Sequence, residues 1–318
     1  MDLTILIPTL NRPAKLKRAL GFLDREKFQG VVRIGDSGTL PDRFFDNLNL
    51  NIVYDKYPDA KHDGEVMKDM ISKIDTTYAI QQGDDDLMLP KGFDKCIKFL
   101  EEHPDYSAVR GIRINVHYSN RGLCWALPVN EANAEQDSPV ERWKVYMENG
   151  RSVQSYVQRT ETWKRMYRDV DKVPSRYLGP ELLPCSISFI NGKTKVLLDV
   201  LSFIFEMDSE DRMVDWAKKD MFDYMHSKEW LPSYKQVRKS IIKELIENGI
   251  AENEAEDLFN REIRWHIVSA LGSQWKRRYE PLPGKMRHML FSNMMNPLWE
   301  QYSEFRKAYT YALTWESL

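Results

Sequence analysis

Leu3-Thr4-Ile5-Leu6-Ile7 runs as leucine and β-branched residues without a break, the pattern of a strand covered on both faces inside a parallel sheet. A strand of that kind needs a crossover helix directly after it. Asn11-Arg12-Pro13 offers a cap-like residue and a proline at an early helical position, and Leu16, Ala19, Leu20 and Leu23 then recur at helical spacing. Val31-Val32-Arg33-Ile34 reads as a second strand, closed by Gly35-Asp36-Ser37-Gly38, and Asn51 to Tyr54 as a third. A helix over Gly64 to Ile74, with Val66, Met70, Ile71 and Ile74 on one face, leads into a strand at Tyr78 to Gln81. The alternation predicts an α/β domain with a mainly parallel sheet and helices on both faces. In open sheets of this class ligands bind beyond the carboxyl ends of the strands, where Pro8-Thr9, Asp36 and Asp84 to Asp86 all fall.

Further along, the pattern predicts a helix at Phe93 to Glu102, a strand at Ser107 to Val116, a polar loop at Ser119 to Ser138, a strand at Arg151 to Val157 and a helix at Glu161 to Arg168. A loop that long beside a site is expected to act as a lid or to contact a second substrate. Apolar elements at Glu181 to Ile190 and Lys195 to Phe205 close the first domain, placed at residues 1–205. Residues 206–318 read as helical, with Phe259, Ile263, Ile267, Leu271 and Trp275 on one stripe, and are expected to serve acceptor contact, packing or oligomerisation. The aromatic stripe around Trp265 and Trp275 is expected in the core. Arg261 to Lys307 interleaves basic and aromatic residues, a composition that also suits peripheral contact with an anionic membrane surface.

The stretch richest in chemistry is Gly83-Asp84-Asp85-Asp86-Leu87-Met88-Leu89-Pro90. Three adjacent carboxylates after a buried strand need a counter-charge. A hard divalent cation, Mg²⁺ or Mn²⁺, supplies it with oxygen coordination and shares its remaining positions with substrate phosphates. The net charge of -2 provides no general field for polyanions, so nucleic acid is not an expected partner. Cys96, Cys124 and Cys185 lack metal-site or disulfide-framework spacing, and the amino terminus lacks the basic lead and long apolar run of a secretory signal. A cytoplasmic location is the expectation.

Three motifs in order carry a family resemblance: Thr4-Ile5-Leu6-Ile7-Pro8-Thr9-Leu10-Asn11-Arg12, then Gly35-Asp36-Ser37-Gly38, then Asp84-Asp85-Asp86 with Pro90 downstream. Residues 3–205 resemble the GT-A fold of family 2 glycosyltransferases, inverting metal-dependent enzymes that use nucleotide-diphosphate sugars. The resemblance implies that Pro8, Thr9, Asn11 and Arg12 line the nucleotide pocket, that Asp36 accepts a hydrogen bond from the base, and that Asp84 faces the ribose. Registered on Pro90, it makes Asp85 the direct metal ligand, with Asp86 second. Glu181, in Leu178-Gly179-Pro180-Glu181-Leu182-Leu183, matches the family's general base, with Asp169 and Asp171 in reserve. The family often has Glu-Asp at this point, whereas this chain has Glu-Leu.

The implied function is transfer of a sugar, from a UDP-sugar by preference, to the hydroxyl of a glycan or other acceptor, with inversion and with Mn²⁺ or Mg²⁺, in polysaccharide or glycan biosynthesis. The alternative is a GT-A-like scaffold that binds nucleotide or glycan without turning it over. A sugar nucleotidyltransferase ranks last, because the chain lacks a Gly-rich, Lys/Arg-bearing loop after the first strand. Taken singly, each motif has a plainer reading. An acidic triplet is often a solvated turn or helix cap, Gly-Asp-Ser-Gly an ordinary turn, and a glutamate after Pro180 ordinary helix-start chemistry.

Overall fold

A computed structural model describes residues 1–60, 62–118, 124–128, 133–150, 152–207 and 221–279. Strands β1 (Leu3–Thr9), β2 (Val31–Asp36), β3 (Asn51–Lys56) and β4 (Tyr78–Gln81) form a parallel block ordered β3-β2-β1-β4. The block continues through β8 (Val157–Arg159), β6 (Tyr106–Tyr118), β9 (Lys193–Met207) and β5 (Leu87–Met88), with β7 (Cys124–Pro128) paired to β6. The pairings set β6 and β9 parallel to the first four strands and β5, β7 and β8 against them. The sheet is therefore mixed and mostly parallel, as the unbroken apolar strands predict.

Period-two alternation divides the core between the two faces. Leu3, Ile5 and Ile7 of β1 join Leu16, Leu20 and Leu23 of α1 (Pro13–Arg25) and Phe93, Cys96 and Leu100 of α3 (Phe93–Glu102) in one apolar cluster. Leu6 points the other way, into a cluster with Val66, Met67 and Met70 of α2 (Asp63–Ser72), Trp163 of α5 (Thr160–Tyr167) and Ile187 of α6 (Leu183–Asn191). That second cluster continues without interruption into Ile241 and Leu245 of α8 (Trp230–Glu247) and Phe259, Ile263, Ile267 and Leu271 of α9 (Glu252–Tyr279). A short helix, α7 (Met221–Met225), precedes α8.

Several expectations need correction. The stretch read as a loop from Ser119 to Ser138 contains β7, which forms a hairpin with β6, and Ala134, which bridges Thr194; residues 119–123 and 129–132 lie outside the described residues. Helix α4 (Pro139–Asn149) follows directly, begun by the Ser138 side chain accepting from Glu141 N at 3.4 Å and ended at Gly150 in a left-handed conformation, φ 60°. Ser-Pro-Val-Glu is the signal for that start. The strand expected at Arg151 to Val157 begins only at Val157, because the backbone oxygens of Val153 and Gln154 are taken by Tyr156 N and by Gln81 N. Trp265 is 58% exposed rather than in the core, since it lies off the stripe of Phe259, Ile263, Ile267 and Leu271. Trp275 and the basic-aromatic tail beyond 279 fall outside the described side chains. Among the described residues no helix is long and apolar enough to cross a membrane.

Glu244 of α8 ties the helical region to the sheet layer. It is fully buried and accepts from Arg165 Nε and Arg168 Nη2 of the α5 segment, each at 2.7 Å, and from Asn191 Nδ2 of α6 at 2.9 Å. Removing one member of a buried ionic cluster strands the others, a loss that reaches several kcal/mol when all are buried. Here the arginine side chains are 37% and 38% exposed, which screens the loss. Glu244→Gln is expected to lower the unfolding free energy by about 1–3 kcal/mol in urea titration, while the neighbouring exposed pair partner Glu247, replaced by Gln, changes it by less than about 0.5 kcal/mol.

Candidate active site

Strand order builds the site. β1 lies between β2 and β4, so Thr9 is the register partner of Asp36 while Gln82, just past β4, donates its N–H to Leu6 O at 2.9 Å. The polar carboxyl ends of three strands thus meet at one crevice, and Ser37 N donates to Thr9 O at 3.0 Å across it. Pro8 stands opposite Gly35 in the same register.

Asp36 is fully buried. Its Oδ1 accepts from Gly38 N at 2.7 Å and its Oδ2 from the Tyr54 hydroxyl at 2.8 Å. Each oxygen retains a second lone pair, so the carboxylate is fixed in place and still able to accept from a ligand. Burial and the adjoining Asp36 carboxylate push the Tyr54 hydroxyl up to about 12, which keeps it protonated and donating. Asn11 takes a left-handed φ of 54°, and its Oδ1 accepts from Thr39 N at 3.3 Å. The helix cap expected at Asn11 is displaced to Arg12, whose guanidinium, having no acceptor atom, makes no cap hydrogen bond and donates into the crevice instead.

Arg12 spans the acidic run. Nη1 donates to Asp84 Oδ1 at 2.6 Å and Nη2 donates to Asp85 Oδ2, while Arg18 Nη2 donates to the Asp85 carbonyl at 2.8 Å. Asp84 is buried and also accepts from the Thr9 hydroxyl at 2.8 Å. Desolvation raises its carboxyl to about 6, against the downward pull of Arg12 and Thr9. Asp86 is buried, with Oδ2 accepting from Gly83 N at 3.2 Å. Asp85 differs: its side chain keeps 24% of its surface open to the crevice.

That difference decides what an ion would find here. Among the described residues no three His, Cys, Asp or Glu side chains surround a common point. A single accessible carboxylate flanked by two buried ones is the donor set that suits Mg²⁺ or Mn²⁺ when most of the coordination comes from water and substrate phosphate. Asp85 fits as the direct ligand, with Asp86 behind it. The cations Arg12, Lys15 and Arg18 follow at three-residue intervals along the first turns of α1, whose amino terminus adds a favourable partial charge for an anion.

Glu181 comes from a different part of the chain, yet is tied to the same strand ends. Gln154 accepts from Gln81 N at 3.1 Å through its backbone oxygen, and its side-chain Nε2 donates to Pro180 O at 2.5 Å and to the Tyr167 hydroxyl at 2.7 Å. Glu181 belongs to a π-helical turn, Tyr177–Leu182, a wide turn frequent at functional sites. The Glu181 side chain is open to water, yet protein is packed closely around its carboxyl and disfavours its charge. Desolvation, reinforced by the Asp63 carboxylate and opposed by Arg176, pushes it up to about 7. Arg176 Nη2 donates to Asp63 Oδ2 at 3.2 Å. Asp171 and Asp169, the reserve candidates, are engaged with Lys68 Nζ at 2.6 Å and Lys172 Nζ at 2.7 Å.

Sequence reasoning missed Tyr54, Arg18, Gln154, Asp63 and Arg176. Tyr54 had a signal, an aromatic hydroxyl two residues before the end of β3 and beside the β2 acidic turn; the others meet the site only through tertiary packing. A separate groove of about 420 Å³, lined by Asp257, Asn260, Arg261, Arg264, Trp265 and Val268 of α9, includes none of the crevice carboxylates.

Comparison with protein-family models and with curated protein sequences gives no match. Among solved structures the chain is similar to S. aureus TarS 1-349 in complex with UDP-GlcNAc, with TM-score 0.63 and 12% identity over 97% of this chain and 84% of that one. The complex of the same protein with UDP gives TM-score 0.58 at 12% identity, over 97% of this chain and 83% of that one. The longer TarS structure also gives 0.58 at 12% identity with 97% of this chain covered, and there the chain spans about half of the TarS length, 50%. At such identity the likeness speaks for architecture. The expected fold class is met: the chain has the GT-A fold, a mixed and mostly parallel sheet between helices followed by a helical region.

Proposed function

We propose that the protein is a glycosyltransferase that moves a sugar from a nucleotide-diphosphate donor, a UDP-sugar by preference, to an acceptor hydroxyl with inversion at the anomeric carbon. The observation that carries the reading is the joining of Thr9, Arg12, Asp84 and Asp85 at one crevice with Asp36 on its wall. The UDP-GlcNAc and UDP bound by the TarS structures support a uridine nucleotide as the donor's carrier. In this reading Pro8, Thr9, Asn11 and Arg12 line the nucleotide pocket, Asp36 accepts from the uracil N–H, and Asp84 faces the ribose. Arg12, Lys15 and Arg18 attract the diphosphate. Asp85 and Asp86 would hold Mn²⁺ or Mg²⁺, which would supply Lewis-acid stabilisation to the departing diphosphate.

Glu181 takes the proton from the acceptor hydroxyl as that oxygen bonds to the anomeric carbon and the bond from that carbon to the diphosphate oxygen breaks. A carboxyl poised near 7 combines a useful fraction of carboxylate with enough basicity to accept a proton at neutral pH. A cytoplasmic enzyme of glycan or polysaccharide assembly, acting on acceptors at or near a membrane surface, is the setting this chemistry fits.

Titration with UDP, with and without Mn²⁺, followed by a product assay, tests the reading. UDP should bind more tightly with the ion, and UDP should be released from a UDP-sugar; nucleotide binding without product would point to the scaffold alternative. Asp85→Ala should lower turnover by roughly 100-fold or more, the scale of losing an electrostatic stabiliser of developing charge, and should remove the Mn²⁺ enhancement of UDP affinity seen by calorimetry. Retention of that enhancement would disprove the ligand assignment.

Glu181→Gln should keep UDP affinity and lower transfer by roughly 100- to 10,000-fold. In the unsubstituted protein kcat/KM should rise with pH through an acid limb near 7. Stability should move the opposite way. The folded carboxyl binds its proton more tightly than the unfolded one, so folding loses stability as pH climbs from the ordinary carboxylate range through 7. Glu181→Gln should therefore raise Tm above about pH 8 and lose that advantage below about pH 5.

A further inference from the structure

The start of α2, whose Asp63 carboxylate acts on Glu181, carries polar side-chain atoms without a partner. Nδ1 of His62 and Oδ1 of Asp63, at the start of α2, are buried and have no hydrogen-bond partner. Buried polar groups are rarely left so, and a ligand or ordered water is the usual completion. The charged groups acting on Glu181 are the Asp63 carboxylate and the Arg176 guanidinium, and the second is paired to the first. The His62 ring is held towards its neutral form by burial. This part of the site is therefore net acidic with a single cation, whereas at the acidic run three cations, Arg12, Lys15 and Arg18, stand among the carboxylates.

An aromatic surface adjoins the carboxylates. Tyr177, in the π-helical turn, and Tyr224, in α7, have ring centroids 5.5 Å apart at 31°, and the Glu181 charge acts on both hydroxyls. Both residues are partly exposed. The Tyr177 hydroxyl donates to His266 Nε2, whose Nδ1–H donates to Met147 O at 3.0 Å, so the ring is fixed by α9 and α4. Fixed aromatic faces beside acceptor-type oxygens match the two surfaces of a pyranose ring or polyol, an apolar C–H face and a rim of hydroxyl donors. A phosphate or sulfate near the attacking hydroxyl would instead meet two carboxylates.

We propose that the crevice between the start of α2, the π-helical turn and α7 is the acceptor subsite, and that it takes an uncharged, polyhydroxylated acceptor, packed on Tyr177 and Tyr224 with a hydroxyl between Asp63 and Glu181. The inference rests on the glycosyltransferase reading and adds the chemical class of the acceptor.

The test uses UDP release from the UDP-sugar that gives the largest thermal shift, with methyl glycosides of glucose, galactose, mannose and N-acetylglucosamine as probes and the 6-phosphates of the same sugars as anionic counterparts. At least one neutral glycoside should raise UDP release well above donor hydrolysis, and its 6-phosphate should not. Tyr224→Ala should raise the apparent KM for that glycoside roughly tenfold with kcat little changed, and Tyr224→Phe should restore it, since the ring and not the hydroxyl makes the contact. Asp63→Asn, which keeps shape and removes charge, should let the 6-phosphate become an acceptor. Donor hydrolysis with preference for the phosphates, no response to any neutral glycoside, or an unchanged KM in Tyr224→Ala overturns the acceptor class alone. Absence of both UDP binding and UDP release overturns the glycosyltransferase reading, and the acceptor class with it.

Discussion

The guanidinium of Arg12 laid across Asp84 and Asp85 is the interaction on which the crevice at the ends of β1 and β4 depends. Asp84 is almost fully buried, and an unpaired carboxylate there would be driven to protonate. The planar fork of arginine satisfies two carboxylates at once, which a lysine's point charge does not do. The partners come from the loops after β1 and β4, neighbouring strands in the sheet, so the ion pair also fixes the spacing of those loops.

Cations are distributed unevenly over the site. Helix α1 supplies cations beside the acidic turn, while α2 and the π-helical turn supply carboxylates with a single arginine between them. A transfer reaction needs that asymmetry, since the diphosphate must be drawn to one side and a proton accepted on the other. Gln154 connects the two regions: its backbone holds Gln81 at the tip of β4, and its side chain holds the carbonyl immediately before Glu181. The helical region takes part as well. Glu244 clamps α5 and α6, and His266 of α9 holds the first residue of the turn that carries Glu181.

Local chemistry explains which parts of this could be read from the chain. The strands of the parallel block declare themselves because both faces are buried, and the three motifs lie where those strands end. Asp36, Thr9 and Asp84 were legible for that reason. The hairpin of β6 with β7 was not, since Cys124–Pro128 lacks period-two alternation and ends in a proline, so the turn-favouring residues Asn120 and Gly122 ahead of it read as part of a longer loop. Helix α4 had its start written in Ser138-Pro139-Val140-Glu141, but a polar stretch on its amino side masks the signal. Asp63 and Arg176 reach Glu181 only through the packing of α2 against the π-helical turn. No spacing along the chain encodes that meeting.

Leu182, which follows Glu181 where the resembled glycosyltransferases often carry an acid, has a physical setting here. Leu182 is buried in the core cluster that also holds Leu178 and Leu183. A carboxylate at that position would face apolar side chains and, beside Glu181, add a like charge. The chain instead sets its second acidic group at Asp63, on another element, where it borders the crevice and pairs with Arg176. The electrostatic contribution of a neighbouring carboxylate to the basicity of Glu181 is thereby kept, while residue 182 anchors the turn from behind. Glu181, carried on a wide helical turn anchored by Leu182 and held at Tyr177 and Pro180, has a fixed direction without a partner at the adjacent residue.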